Sequence, residues 1–386
     1  MSESPVTIDP RLLDAVIVQV PQSDSMASLE RRLQDAGVEA VNVEAAADAA
    51  RLRQVAASIG TRAERCAVIT KDPDAVTTAR SGGFSLVIAL ASDGVDLLEQ
   101  GADVVIDDVS EIAVRTGDRR MSEIPNALDH YTEMADALGG RLPAVCLDYD
   151  GTLSEIVPDA DAARLVDGAA EALARLAQRC PVAILSGRDL ANVRDRVAVP
   201  GLWYAGSHGF ESIAPDGSYR QNEDAAAAVP VLERAAGELR EILADVGGSR
   251  VEHKRFAVAV HYRDVAADDV GEVVAGTHRV GRRHHLRVTN GRKVVELRPD
   301  VDWNKGTTLA WIREQIEQSR SVTPVYIGDD LTDEDAFDAV APPAGIGILV
   351  RHTEDGDRRS AARYTLDDPE QVRELLDRLA DGLPTT

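Results

Sequence analysis

Residues 144–152 read AVCLDYDGT, an apolar run that ends in two carboxylates one residue apart, a glycine and a hydroxyl. Such a run has the character of a buried parallel strand, and open α/β sheets place their chemistry at the carboxyl ends of such strands. Alternate residues of an extended segment share a face, so Asp148 and Asp150 are expected to point together, with Tyr149 turned between them. Two carboxylates facing one crevice repel each other. A hard divalent cation with oxygen ligands, most simply Mg²⁺, keeps both ionised. An acidic pair at a strand end also serves to cap the next helix, and this stretch alone does not separate the two roles.

Downstream, residues 167–179 (DGAAEALARLAQR) have the period of an amphipathic helix, and PVAIL (181–185) reads as a strand ending in Ser186, Gly187 and Arg188. A small hydroxyl beside a free backbone N–H at a strand-to-helix junction seats a phosphate, although a serine there equally caps the helix. WYAGSHG (203–209) forms another strand end, where His208 either contacts a polar substrate or satisfies a local turn. From 210 to 296 the pattern changes to hairpin-like strands: a turn at Pro215 to Gly217, VEHKRFAVAVHYR (251–263) and HLRVTNGRKVVELRP (285–299), separated by helices. A small α+β insert with one open sheet face is expected. The parallel pattern returns with a helix from about Lys305 to Gln318, VTPVYIGDD (322–330), IGILVR (346–351) and a final helix over 369–381.

The first part of the chain has its own βα alternation. Its strand candidates are 14–20 (DAVIVQV), 38–43, 66–70, 84–90 and 103–106, with a helix over 25–36 stopped by Gly37. AVIVQV (15–20) matches AVCLDY (144–149) and puts Gln19 where Asp148 stands, so this domain carries no complete catalytic set. Chance likeness between buried strands explains the echo as well as duplication does. The expected division is an N-terminal α/β domain at 1–120, a linker helix at 121–142, a core at 143–209 and 297–386, and a cap at 210–296.

A chain of 386 residues is long enough for two or three domains, and 44% hydrophobic with 4% aromatic residues fits Ala, Val and Leu packing in α/β layers. Its formal charge of −24 has the wrong sign for nucleic acid or an anionic membrane surface, so neither is expected as a partner. Cys66, Cys146 and Cys180 are odd in number and widely spaced, as reduced core residues are. With no apolar run of membrane length and no leader-like amino terminus, a cytoplasmic location is expected.

Asp148, Asp150, Ser186, Lys305 and the cluster Gly328 to Glu334 all fall at the ends of parallel elements or at a helix start. In this order, DxDGT, SGR, a lone lysine opening a helix and GDDxTDED, the chain resembles the haloacid dehalogenase superfamily of aspartate-nucleophile phosphatases. The resemblance implies a Rossmann-like parallel core with an α+β cap insert, preceded here by an extra α/β domain. It implies that Asp148 attacks phosphorus and that Asp150 protonates the leaving oxygen and then activates water. Ser186 and Lys305 are implied to hold phosphoryl oxygens, and Asp148, Asp150 and Asp329 to bind Mg²⁺, with Asp330 and Asp333 in support. Several groups are needed, because a phosphomonoester requires on the order of 20 kcal/mol of barrier lowering.

Within that superfamily, residues 143–363 resemble the trehalose-6-phosphate phosphatases through LDYDGTL, LSGR, GSHGFE, VEHK, HYR, VELRP, DWNKG and GDDLTDEDAF. The additional amino-terminal domain is similar to that of the long form in mycobacteria and related actinobacteria, itself like a phosphatase core without its aspartates, and Gln19 agrees with that. The resemblance implies Mg²⁺-dependent hydrolysis of trehalose 6-phosphate, the last step of trehalose biosynthesis. It carries over Glu252, Lys254, Glu296 and His208 as sugar-binding groups, with Arg298 after them. Charged side chains suit sugar hydroxyls, and cross-strand ion pairing in the cap sheet would place the same residues there. A phosphatase or phosphomutase acting on another sugar phosphate is the alternative.

Overall fold

The computed structural model describes residues 6–44, 47–92, 96–157, 160–291, 293–343, 345–352 and 356–384, so Arg292 of the 285–299 stretch lies outside the described residues. The chain divides into two compact units, Asp118–Ala226 with Val301–Thr386, and Met1–Gly117 with Ala227–Asp300.

The first of these is built on an eight-stranded sheet, in the order Tyr219–Gln221, Glu211–Ile213, Trp203–Gly206, Val182–Leu185, Leu142–Leu147, Val322–Gly328, Ile346–Val350 and Tyr364–Leu366. The six strands from Trp203–Gly206 onward are parallel. Counted along the chain from Leu142–Leu147, they lie in the doubly wound order 3-2-1-4-5-6. Its switch point therefore falls between Leu142–Leu147 and Val322–Gly328, the strands that deliver Asp148 and Asp329. Side chains alternate between two apolar layers. Val145, Leu147, Ile184 and Ile327 face the helices Ala169–Ala177 and Pro369–Gly382. Ala144, Cys146, Leu185 and Tyr326 face Lys305–Glu317 and Glu334–Ala339. Each fully buried aliphatic side chain stabilises this packing by roughly 1.5–3 kcal/mol.

Two expected boundaries are corrected. Residues 211–221, placed in the cap by their hairpin pattern, instead add two antiparallel strands to the core sheet, pairing Tyr204 with Ile213 and Glu211 with Gln221. The hairpin satisfies the open edge of Trp203–Gly206, an advantage that alternation alone does not reveal. The linker is helical only over Tyr131–Ala137. Before it, Arg119–Arg120 pairs with Arg359–Ser360 and Asn126 bridges to Thr365, while Gly139 and Gly140 end the helix at φ 63 and 68°.

In the second unit, residues 1–117 carry a five-stranded parallel sheet ordered Glu39–Asn42, Ala15–Val18, Cys66–Thr70, Leu86–Leu90, Val104–Ile106. This is the core order with its outermost strand removed. The Gln19 amide donates to Ile69 O at 2.8 Å, just as the Asp148 amide donates to Ile327 O at 2.9 Å. Gln19 thus stands where the echo between the two halves placed it, with its side-chain amide donating to the Glu44 carbonyl at 3.1 Å. Residues 227–300 form an antiparallel sheet ordered Arg250–Lys254, Ala257–His261, Val294–Pro299, Leu286–Gly291. Val258, Val260, Val295 and Leu297 of this sheet pack on Val273, Val274 and Val280 of the helix Val270–Arg283.

This helix also packs on the amino-terminal domain. A Cβ on Gly271 would lie 1.5 Å from the Ser81 carbonyl oxygen, so only glycine permits the approach. Beside it Arg80 donates to Gly101 O at 3.0 Å and Phe84 O at 3.1 Å, and pairs with Asp103 at 2.5 Å. His278 of the cap helix completes the cluster, with Nε2 3.2 Å from an Arg80 nitrogen and Nδ1 3.3 Å from Asp103 Oδ1. A guanidinium only donates, which assigns Nε2 as acceptor and Nδ1–H as donor: a neutral imidazole. Burial pushes the His278 pKa down; the Asp103 hydrogen bond opposes this, and the charges of Arg80 and Arg282 reinforce it. Burial of Asp103 is outweighed by His278 and Arg80, which hold it at about 2.

A histidine with a lowered folded pKa contributes stability that is present above its unfolded value of 6.5 and is lost as pH falls below it. The thermal midpoint should therefore drop between pH 7.5 and 5. His278→Gln should lower the midpoint at pH 7.5 and flatten the dependence, as read by thermal scans across that range. Equal slopes in the two proteins would mean that His278 does not titrate there.

Candidate active site

The helix Lys305–Glu317 begins with a reciprocal cap: Asn304 Oδ1 accepts from the Thr307 amide at 2.9 Å, and Thr307 Oγ1 accepts from the Asn304 amide at 2.7 Å. Such a cap fixes the first helical residue, Lys305. Its ammonium is 1% exposed and donates to Asp148 Oδ2 at 2.7 Å and Asp333 Oδ1 at 2.6 Å. Burial disfavours the charged lysine, but Asp148 and Asp333 more than offset this and drive its pKa upward. Burial raises Asp148 to about 7; Lys305 pulls it down, and Asp333 and Asp150 push it up. Asp329 is raised well above the ordinary carboxylate range by burial and by Asp333 and Asp148.

Asp148, Asp329 and Asp333 each bring a carboxylate oxygen within 4.8 Å of the others. Asp333, however, is saturated. Its Oδ1 accepts from Lys305 and, at 2.5 Å, from Tyr326 OH, while Oδ2 accepts from the amides of Asp329 and Asp330 at 2.9 Å. With every lone pair engaged it positions its neighbours and is a poor ligand. Asp148 and Asp329 are the buried carboxylates whose mutual repulsion suits a hard divalent cation. Gly151 lets them approach: it adopts φ 72°, and a Cβ there would lie 2.1 Å from Asp329 Oδ2.

Asp150 lies outside this cluster. Arg188 grips it with Nε at 2.7 Å and a terminal nitrogen at 2.5 Å, and the guanidinium also lies 5.3 Å from the Tyr149 ring centre. Asp150 thus does not join Asp148 in the three-carboxylate cluster: the strand ends at Leu147, the chain bends at Tyr149 and the arginine holds the Asp150 carboxylate, although its charge still pushes the Asp148 pKa up. As a metal ligand Asp150 would have to act through its backbone carbonyl. Ser186 is fully buried beside these loops. Its own amide donates to Ala205 O at 2.9 Å, while its hydroxyl accepts from the Arg188 amide at 3.2 Å. His208 donates its amide to Ser186 O at 2.9 Å, and a Cβ on Gly187 would lie 2.8 Å from its ring. Ser207 and His208 both adopt left-handed backbone, at φ 51 and 56°. Strain of this kind persists only where surroundings impose it. Trp303 Nε1 holds Gly209 O at 3.0 Å and Thr308 Oγ1 holds His208 O at 3.3 Å.

Glu252, Lys254 and Glu296 lie on one face of the cap sheet, with Glu252 and Glu296 both opposite Ala259. His261 Nε2 is 2.8 Å from Glu252, Lys254 is 3.8 Å from Glu296, and Arg298 Nε donates to Glu296 at 2.9 Å. The His261 hydrogen bond lowers the Glu252 pKa to about 2. Burial raises Glu296, but Arg298 and Lys254 leave it below its ordinary value. Motif reading did not assign Arg188, Tyr326 or His261. Arg188 and His261 sat within quoted motifs, whereas Tyr326 looked like any core residue of a strand.

Buried Asp148 and Asp329 at the switch point of a doubly wound sheet, with a helix-opening lysine bonded to Asp148 and Asp333, agree with the resemblance to haloacid dehalogenase-type phosphatases that the motifs carry. A sequence model of the trehalose-phosphatase family matches residues 146–370. The trehalose-phosphate phosphatase of Mycobacterium avium is 56% identical over 395 residues, covering 99% of each chain. That of Mycobacterium tuberculosis is 53% identical over 383 residues, covering 98% of this chain and 97% of its own. The chain belongs to the trehalose-phosphatase family. Among solved structures, the C-terminal domain of C. albicans trehalose-6-phosphate phosphatase shares the fold at TM-score 0.56 and 22% identity, over 67% of this chain and 98% of its own. A trehalose-6-phosphate phosphatase related protein shares it at 0.53 and 24%, over 62% and 97%.

An acid whose folded pKa lies above its unfolded value costs stability as pH rises through that interval, here from 3.8 to about 7. Asp148→Asn should therefore abolish phosphate release yet raise the thermal midpoint of the metal-free protein at pH 8, with the gap closing toward pH 5. A lower midpoint at pH 8 would show that the Lys305 pairing outweighs the repulsion.

Proposed function

We propose that this chain hydrolyses trehalose 6-phosphate to trehalose and phosphate, the last step of trehalose biosynthesis, with Asp148 as nucleophile and Mg²⁺ as cofactor. The observation that carries this reading is the buried Asp148–Lys305–Asp333 linkage beside Asp329, in a chain of this family. Lys305 spends two of its three donors on Asp148 and Asp333, leaving one for a phosphoryl oxygen. Ser186 supplies a hydroxyl to the same group, and His208 borders it. Asp148 and Asp329, with the Asp150 carbonyl, would hold the cation, which when bound supplies charge neutralisation for these carboxylates and the phosphoryl oxygens.

Asp148 attacks phosphorus as the sugar oxygen leaves with a proton from Asp150. Asp150 then takes a proton from water as it opens the aspartyl-phosphate. A carboxylate gripped at both oxygens by a guanidinium is a poor proton carrier, so turnover requires the Arg188 pair to open. Glu252, Lys254 and Glu296 are the sugar-recognising groups of this reading. A cytoplasmic location belongs to it as well, supported by Cys66, Cys146 and Cys180, which are free and buried, and by the absence among the described residues of a helix fit to cross a membrane.

Phosphate release from trehalose 6-phosphate should far exceed that from glucose 6-phosphate or sucrose 6-phosphate and should vanish with EDTA; equal rates on all three would overturn the substrate. Glu252→Ala and Lys254→Ala should each slow trehalose 6-phosphate hydrolysis by about tenfold or more, the equivalent of a hydrogen bond to a charged group. Both should leave p-nitrophenyl phosphate hydrolysis nearly unchanged, and equal losses on the two substrates would make these residues structural. Asp150→Asn should accumulate phosphoprotein detectable by mass spectrometry, and rapid multiple turnover by it would exclude Asp150 as acid and base.

A further inference from the structure

One buried ion pair in the core is unused by the chemistry above. Arg358 and Glu334 are each 3% exposed and bonded to each other. Glu334 opens the helix Glu334–Ala339, and its second oxygen accepts from the Ala361 amide at 3.0 Å. The other terminal nitrogen of Arg358 donates to the main-chain carbonyl of Asp329 at 3.1 Å. The amide of that same residue is held by Asp333 at 2.9 Å. Asp329 is thus clamped on both sides of its backbone, whereas among the described residues its carboxylate has only a 3.4 Å contact with the Thr152 hydroxyl. The arginine is in turn fixed from outside. Its carbonyl accepts from the Met121 amide at 3.0 Å, and Asp357 binds the Ser122 amide and hydroxyl at 2.9 Å.

Burying two charges gains little over an apolar pair of the same size, so stability does not explain this one. A guanidinium differs from a lysine's point charge on a flexible stem in that its rigid planar fork holds the carboxylate and the carbonyl at two separate terminal nitrogens in one fixed plane. We propose that Arg358, oriented by Glu334, is a positioning residue that fixes the Asp329 main chain and so presents the Asp329 carboxylate to the divalent cation. This rests on the reading of Asp329 as a metal-binding residue. The restraint lowers the reorganisation needed when the cation binds, so its loss weakens metal affinity first.

The test is calorimetric titration of Mg²⁺ into chelator-stripped full-length protein, with the thermal midpoint of the metal-free form measured alongside. Arg358→Lys keeps the charge but loses the fork. The double variant Arg358→Met, Glu334→Gln removes both charges, so that neither is left buried alone. Both should bind Mg²⁺ about 10–100-fold more weakly, as loss of groups orienting a ligand does elsewhere. In both, much of the lost turnover should return at high Mg²⁺. An affinity within twofold of the unaltered protein in the double variant, whatever its thermal midpoint, would overturn the proposal. So would a double variant that is unfolded at 25 °C, since the pair would then be a folding requirement. Asp329→Asn is titrated in parallel: if it binds Mg²⁺ normally, the metal-site reading fails, independently of the clamp.

Discussion

The core depends on one ammonium group. Lys305 lies between Asp148 and Asp333 with almost no solvent contact, and stripping water from such a charge costs several kcal/mol unless partners replace it. Two carboxylates do so here, and in binding them the lysine ties the end of the first core strand, the start of a helix and the acidic loop after the fourth strand. The arrangement still leaves three carboxylates against one ammonium. Burial first, and this imbalance after it, raises the pKa of Asp148 and Asp329, and the excess negative charge gives a divalent cation something to neutralise.

Around that centre the loops are fixed through their main chains more than through their functional side chains. Asp333 holds two amides of the acidic loop, Arg358 holds a carbonyl, and Trp303 and Thr308 hold the strained turn at Ser207 and His208. A site assembled this way is stiff where the backbone is concerned and leaves its reactive groups free to change partners. Asp150 is an example: among the described residues the Arg188 pair alone restrains its carboxylate, and an ion pair near solvent opens at modest cost.

The chain is acidic overall, yet it must draw in an anion. Each unit nonetheless sets cations among its carboxylates: Lys305 and Arg188 in one, Lys254 and Arg298 in the other, each paired with a carboxylate. On the cap sheet one face is aliphatic and packs on its helix, and the other carries Glu252, Lys254, His261, Glu296 and Arg298 in cross-strand register. Burial of the first face holds the charged residues of the second in place without a binding partner.

Much of this was legible in the sequence, since strands buried on both faces must be continuous apolar runs and reactive residues follow them directly. AVCLDYDGT, PVAILSGR and VTPVYIGDD therefore announced the parallel sheet and the residues at its ends, whereas the Gln19 echo fitted chance as well as duplication, and only the strand orders of the two sheets show how alike they are. Sequence could not tell where 211–221 would pair, because alternation states that a segment is a strand and not which edge it completes. Nor could it show that Asp150 turns to Arg188, that Asp333 saturates itself on four donors, that His278 bridges Arg80 and Asp103, or that Arg358 reaches back 29 residues to a carbonyl. Those facts depend on which polar groups meet after the chain has folded, and a buried group takes whichever partner the packing brings within about 3 Å.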